Sequence, residues 1–115
     1  MVGAIRRGEV RWGNLDPVVG REQSGQRPLL VVQNDAGNAA SPTVIVAAIT
    51  SRWPRGDYPF LVTLPTGTLP ASSVVNCSQI RTLDKSRLSA EPIALLGPET
   101  MTEVDDALRV SLGLY

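Results

Sequence analysis

The sequence of 115 residues contains no histidine, one cysteine, one lysine and only 4% aromatic residues. Without histidine, the chain cannot form a Ser-His-Asp triad or a histidine acid–base pair. A single cysteine and no histidine leave no convincing zinc site, and Cys77 has no partner for an intrachain disulfide. The sequence also lacks a Walker-type glycine loop. Any enzyme made from these residues is therefore expected to work without imidazole, metal or other cofactor.

Long apolar runs are also missing, since none approaches the length that spans a bilayer, and we expect no membrane association. The first seven residues do not resemble a signal peptide, and we therefore expect a cytoplasmic protein. Apolar residues still make up 43% of the chain, which is enough for a core without metal or disulfide support. The length predicts one domain over residues 1–115.

The formal net charge is zero, but the charges are unevenly placed. The segment 97–115 carries four acidic residues and one arginine, a net charge of −3, so the preceding segment carries +3. Ten of the eleven basic residues are arginine, whose planar guanidinium can pair with phosphate through two hydrogen bonds. A genome-wide preference for arginine codons explains the same bias equally well, so the charge pattern is only a mild indication of a polyanionic partner.

Short runs rich in valine and isoleucine, separated by ten glycines and nine prolines, predict a mainly β fold. Two of these runs are almost continuously apolar, so both faces of their strands should be covered. The predicted strands are Arg7–Trp12, Pro28–Gln33, Thr43–Ile49, Phe60–Leu64, Val74–Val75, Gln79–Leu83 and Ile93–Leu96.

A C-terminal helix is the other predicted element. Pro98 suits its first position and Gly113 its end. Four apolar residues recur at three- and four-residue spacing and predict an amphipathic helix that covers one side of the sheet, namely Met101, Val104, Leu108 and Leu112.

The strongest candidates for a functional site lie where the two apolar strands begin and end. Arg27 opens one of them, and Thr50 and Ser51 close the other. A cation and two hydroxyls at the ends of core strands can hold a phosphate. From position alone, however, Arg27 is more often an ordinary surface residue, and Thr50 more often bonds its own backbone.

Five short motifs occur in an order that resembles the MazF/PemK family of toxin endoribonucleases from bacterial type II toxin–antitoxin pairs. They are Gly13-Asn14-Leu15-Asp16-Pro17, Gly20-Arg21-Glu22-Gln23, Gly25-Gln26-Arg27-Pro28, Ile49-Thr50-Ser51 and Gln79-Ile80-Arg81-Thr82-Leu83-Asp84-Lys85. The resemblance extends from about residue 7 to residue 114. It implies a small SH3-like β-barrel of the MazF/CcdB type, a homodimer, and a MazE-like antitoxin whose acidic tail blocks the RNA groove.

The resemblance also supports roles for individual residues. It makes Arg27 and Thr50 catalytic and aligns Glu22 with an acidic loop residue that could act as the base. Ser51 is a weaker candidate for holding phosphate. Gln23 and Gln79 could read unpaired bases, and Trp53 could stack on one. For Gln79 a plain strand-surface position is an equally good interpretation. From the sequence alone, Glu22 is more often an ordinary solvated loop residue, and a loop tryptophan such as Trp53 more often packs over a barrel rim.

The sequence therefore predicts a metal-independent, sequence-specific endoribonuclease toxin, an mRNA interferase, that cleaves single-stranded RNA. Attack by the substrate's own 2′-hydroxyl would give a 2′,3′-cyclic phosphate, and Arg27 would stabilise the developing charge. One alternative is a non-catalytic, CcdB-like toxin that inhibits a protein target such as gyrase. Another is a plain RNA-binding barrel, although the scarcity of aromatic residues weakly disfavours it.

Overall fold

The computed structural model describes residues 4–52 and 58–114 and shows a mainly β fold. Six strands form one antiparallel sheet in the order β4-β5-β3-β2-β1-β6, which curls into a half-barrel, and a helix packs against it. No helix in this part of the chain is both long and apolar enough to cross a membrane. The elements are β1 (Glu9–Asn14), β2 (Gln26–Val31), α1 (Asp35–Ala40), β3 (Thr43–Thr50), β4 (Leu61–Thr63), β5 (Val74–Asp84), a 3₁₀ turn (Lys85–Arg87), β6 (Ala94–Leu95) and α2 (Pro98–Leu112).

The central strands β2 and β3 are covered on both faces, as their continuous apolar runs predict. Alternate side chains of β3 enter different core clusters: Ala47 and Ile49 belong to one, and Val46 and Ala48 to the other. The first cluster also contains residues of α2, and the second lies on the opposite face of the sheet. This double burial fixes the pairing of β2 with β3, because a shift by one residue would exchange the two apolar sets.

The strand β5 differs from the prediction of two short strands, because residues 74–84 form one continuous strand. Its pairing with β3 shifts between Ala47, which lies opposite Ile80, and Ala48, which lies opposite Asn76. The intervening residues 77–79 form an irregularity that the ladder accommodates. Polar residues in this short segment therefore interrupt the apolar pattern without ending the strand. Cys77 is fully buried there, and burial raises the pKa of its thiol to about 11.

The helix α2 begins at Pro98 and ends before Gly113, as predicted. Gly113 adopts a left-handed conformation with φ of 70°, and its N–H donates to carbonyls in the last turn. Met101, Val104 and Leu108 pack against the first core cluster. The prediction for Leu112 was wrong, since this side chain is 60% exposed and is not among the residues that pack against the cluster.

The short helix α1 was not predicted. Its sequence, Asp35 to Ala40, contains glycine and asparagine in place of an apolar stripe. The helix depends on local hydrogen bonds, because the Asn34 side chain accepts from the Gly37 N–H at 2.8 Å. The Asp35 carboxylate accepts from the Arg7 N–H, and this bond lowers its pKa. These hydrogen bonds stabilise the segment that connects β2 to β3.

A buried ion pair joins the first strand to two loops. Arg11 is 1% exposed, and its guanidinium donates to Glu9 Oε1 at 3.0 and 3.1 Å. It also donates to the backbone oxygens of Ala4, Ser89 and Ala90. All donor nitrogens of this side chain are therefore hydrogen-bonded, as a buried charge requires.

We expect Arg11→Met to lower the free energy of unfolding by about 3–5 kcal/mol, because it leaves the Glu9 carboxylate buried without its ionic partner. Urea denaturation followed by circular dichroism would measure the change. The double variant Arg11→Met/Glu9→Gln should recover part of the loss. If Arg11→Met is as stable as the wild type, the buried ion pair does not stabilise the attachment of these loops to β1.

Candidate active site

A cleft of about 490 Å³ opens where β2 begins and β3 ends. Arg27, Thr50 and Ser51 all line it, as predicted from their positions at the ends of buried strands. The strand pairing explains why they meet, since Leu29 lies opposite Ala48 and the same register, continued by two residues, places Arg27 opposite Thr50. The remaining lining residues are Trp12, Gln26, Pro28, Ile49, Thr68, Leu69, Pro70, Ala71, Ser73 and Ile93.

Arg27 is half-buried and is the one ionisable residue among the described residues that line the cleft. Its Nε donates to the Ser24 carbonyl at 2.9 Å, which fixes the plane of the guanidinium. Within residues 4–52 and 58–114, no acceptor is bonded to either terminal amino group and no acid forms a salt bridge with it. These amino groups are thus available to an anion, and the planar fork suits a phosphate.

Thr50 is only 6% exposed, and its hydroxyl is already hydrogen-bonded. Oγ1 donates to the Arg52 carbonyl at 2.7 Å and accepts from the Arg52 N–H at 3.0 Å. The structure therefore shows the backbone-bonded threonine that the sequence left as an alternative. To donate to a phosphate, the hydroxyl must rotate away from the Arg52 carbonyl. Ser51, beside it, is exposed.

The remaining predicted residues on the β1–β2 loop, residues 15–25, do not line the cleft. The Glu22 carboxylate accepts from the Val19 N–H at 2.7 Å and so stabilises the loop's own turn. The Gln23 N–H donates to Gln79 Oε1 at 3.3 Å, while Gln23 Oε1 is buried without a partner in the part of the chain described. Gln79 thus contacts the loop from β5. Trp53 lies outside the described residues.

Two arginines that the sequence did not identify as site residues attach this loop to the sheet. Arg81 on β5 donates to the Leu15 carbonyl, and Arg87 donates to the carbonyls of Asn14 and Asp16. Asp16 in turn accepts from the Gly25 N–H at 3.1 Å, two residues before Arg27. The loop therefore enters and leaves the sheet at fixed points. Arg81 belongs to the motif at 79–85, which was the available signal. Arg87 lies outside that motif, and the partners of both arginines are distant in sequence.

Among the described residues, no other ionisable group lines the cleft with Arg27. Asp84, the second carboxyl group with a lowered pKa, owes the shift to hydrogen bonds from Ser86 in the 3₁₀ turn. Within residues 4–52 and 58–114, no three histidine, cysteine, aspartate or glutamate side chains cluster closely enough to hold a metal ion. The chemistry that the cleft can supply is therefore a fixed positive charge and hydroxyl groups beside an apolar wall.

Sequence reasoning also missed Trp12, which lines the cleft opposite Pro28 and is 45% exposed. It lies two residues beyond the fully buried Val10 on the same strand. Period-two alternation alone predicts a core position for it. β1 stays paired with β2 as far as Asn14, but β6 pairs with β1 only to Val10, so Trp12 lies beyond that edge strand and its side chain remains exposed at the cleft.

Comparison with known proteins gives consistent results. Residues 6–112 match the family described as the PemK-like, MazF-like toxin of type II toxin–antitoxin systems. A crystal structure of MazF from Deinococcus radiodurans is 37% identical, with a TM-score of 0.82 over 96% of this chain and 98% of that one. A MazE–MazF complex from D. radiodurans matches at 31% identity, with a TM-score of 0.76 over 97% and 99% of the chains. An endoribonuclease from a mycobacterial species, in complex with its cognate antitoxin, is 29% identical, with a TM-score of 0.80 over 97% and 98%.

Proposed function

This chain belongs to the PemK-like, MazF-like toxin family of type II toxin–antitoxin systems, and from that premise we propose that it is a sequence-specific endoribonuclease for single-stranded RNA. Relatives of the same fold are endoribonucleases, some in complex with an antitoxin. The observation that carries the proposal is Arg27, which lines the cleft together with Thr50 and Ser51 and whose terminal amino groups are hydrogen-bonded to no described residue.

The chemistry available to these residues favours attack by the RNA's own 2′-hydroxyl. Its oxygen forms a bond to the adjacent phosphorus, the bond from phosphorus to the 5′-oxygen breaks, and a 2′,3′-cyclic phosphate and a 5′-hydroxyl result. The 2′-hydroxyl proton passes to a base, and the leaving oxygen takes up a proton from water or through the guanidinium. Arg27 stabilises the charge that develops on the phosphate oxygens, a role that requires no change in its own protonation.

The absence of histidine and of a cluster of metal ligands in the described residues supports a metal-independent mechanism. The direct test is cleavage of a single-stranded RNA library in EDTA, with the new 5′ ends sequenced to obtain the cleavage motif. Arg27→Ala, purified in parallel, controls for contaminating nucleases. Cleavage without any common sequence would refute specificity. A toxin that arrests growth without cutting RNA, and independently of Arg27, would match the CcdB-like alternative.

Thr50 is proposed to donate its hydroxyl to a phosphate oxygen when RNA replaces the Arg52 carbonyl as acceptor. We expect Thr50→Ala to reduce cleavage about 10- to 100-fold, the effect of losing one hydrogen bond to a charged group. Thr50→Ser should retain most of the activity, because it keeps both the hydroxyl and the backbone bonds to Arg52. Single-turnover cleavage rates would measure both variants. If serine were as poor as alanine, the methyl group would be what matters, and Thr50 would be a packing residue.

Glu22 is proposed as the base, since it lies on the loop that leads into Arg27. Its carboxylate is outside the cleft in the free chain, so RNA binding must bring the loop inward for this role. Glu22→Gln keeps an acceptor for the Val19 N–H and removes only the basic carboxylate. We expect a loss of about 10²–10⁴-fold in the single-turnover cleavage rate. A rate close to that of the wild type would assign the proton to another group.

The remaining proposals concern assembly and location. An acidic antitoxin segment should compete with RNA for Arg27, and its binding should weaken as salt rises because ions screen the attraction. Titration of antitoxin against a fluorescent RNA would show this, and simultaneous binding of both would refute a shared surface.

We further propose a single-domain, cytoplasmic homodimer. Sedimentation of the purified chain tests whether it is a dimer. Limited proteolysis tests whether it is a single domain, and cell fractionation tests whether it is cytoplasmic.

A further inference from the structure

Beside Arg27, the cleft has an apolar wall formed by Trp12, Pro28, Leu69 and Ile93, here called the Trp12 wall. Trp12 is 45% and Ile93 41% exposed, although both are large apolar side chains. No described residue accepts a hydrogen bond from the Trp12 indole, and its ring has no aromatic neighbour among those residues. Apolar surface concentrated in a cleft, in place of scattered exposed residues, is typical of a binding site.

We propose that the Trp12 wall is a nucleobase subsite, on which a base next to the phosphate held by Arg27 stacks against the indole ring. This rests on the proposed function and specifies where that RNA is held. A nucleotide combines an anionic group with a flat ring, and the cleft offers the complement of both. Arg27 supplies the cation with unbonded amino groups, and Trp12 supplies the flat apolar face.

Polar groups at the mouth of the cleft fit the same occupant. Gln26 and Ser51 line it, and neither side chain is hydrogen-bonded to any described residue. A carboxamide can donate and accept together, which suits the edge of a base. By contrast, the hydroxyls of Thr68 and Ser73 are bonded to the Pro65 and Ala71 carbonyls. Stacking on Trp12 itself depends little on base identity, so it should contribute affinity at one position and leave the choice of base to other groups.

The test is an abasic scan on a single-stranded RNA oligonucleotide made uncleavable by one 2′-deoxynucleotide at the scissile position. Dissociation constants are measured with wild type, Trp12→Leu and Trp12→Phe. With wild type, one abasic position beside the scissile phosphate should weaken binding about 5- to 150-fold. Trp12→Leu should weaken binding of the intact oligonucleotide by a similar factor and lose sensitivity to that abasic position. Trp12→Phe should recover part of the affinity and part of the sensitivity to the abasic position. This recovery would also show that the effects of Trp12→Leu do not come from loss of folding.

Tyr58→Leu is the matched control, because Tyr58 is 41% exposed but stacks on Phe60 and lies outside the cleft. It should leave the abasic pattern unchanged. The inference fails if Trp12→Leu keeps the wild-type abasic pattern while wild type still cuts RNA; the proposed function then survives. It also fails if Trp12→Leu alters only antitoxin binding or only the oligomeric state, since the wall would then be a protein interface. If wild type neither binds nor cuts RNA, both proposals fail.

Discussion

A single 2′-deoxynucleotide on the 5′ side of the scissile phosphate should reduce cleavage at that bond to background. The described residues of the cleft include no histidine, no cysteine and no carboxylate that could serve as a nucleophile. Cys77 is buried away from the cleft, and its thiol pKa is raised to about 11, so little thiolate exists at neutral pH. The proposed attacking group is therefore the RNA's own 2′-hydroxyl, and the substitution removes it.

Binding of the substituted oligonucleotide should change little, because the phosphate contacts remain. Cleavage time courses on labelled oligonucleotides, with dissociation constants measured in parallel, separate the two effects. An oligonucleotide with the deoxy substitution moved two positions away is the matched control and should be cut normally. Cleavage of the substituted bond at the normal rate would mean that water attacks, and the roles of Arg27 and Thr50 would have to be reassigned.

Arg27→Ala should retain the fold and lower the rate of RNA cleavage by about 10²–10³-fold. That is the usual effect of removing one fixed donor to the charge of a transition state. The side chain makes only one hydrogen bond within the described protein, to the Ser24 carbonyl, so its loss should cost little stability. Arg27→Lys should recover little, since an ammonium group lacks the planar pair of donors. Single-turnover rates and circular dichroism would measure activity and folding.

The control for a simple loss of positive charge is Arg109→Ala. Arg109 is an exposed residue of α2, outside the cleft, and its ion pair with Asp106 lies on the surface. Such pairs contribute little to stability, so this variant should fold and cleave like wild type. If both variants lost activity equally, general attraction of RNA would explain the effect. A folded Arg27→Ala variant with near-normal activity would remove Arg27 from the mechanism.

Much of this architecture could be predicted because the candidate site residues lie where the buried strands β2 and β3 begin and end. Their continuous apolar runs indicated strands covered on both faces, and that placed Arg27 and Thr50 at the edge of the core. The helix α2 was equally readable, from Pro98 at its start and Gly113 at its end. In each case the information is local in the sequence, so one segment suffices to predict the element.

The rest depended on contacts between distant segments. The continuity of β5 depends on its pairing with β3, which accommodates residues 77–79 as an irregularity. The exposure of Trp12 depends on β6, which pairs with β1 only as far as Val10. The start of the loop that carries Glu22 is attached by Arg81 and Arg87, more than 60 residues away in sequence. None of these contacting residues can be predicted from the sequence of the segment that they constrain.

The most direct measurement is mass spectrometry of the products of a defined oligonucleotide cleaved in EDTA. A chain without histidine that acts through Arg27 on the RNA's own hydroxyl should give a 2′,3′-cyclic phosphate on the upstream fragment and a 5′-hydroxyl on the downstream one. Arg27→Ala should give neither above background. A 5′-phosphate with an upstream 3′-hydroxyl, or products that form only after magnesium is added, would contradict the proposed mechanism.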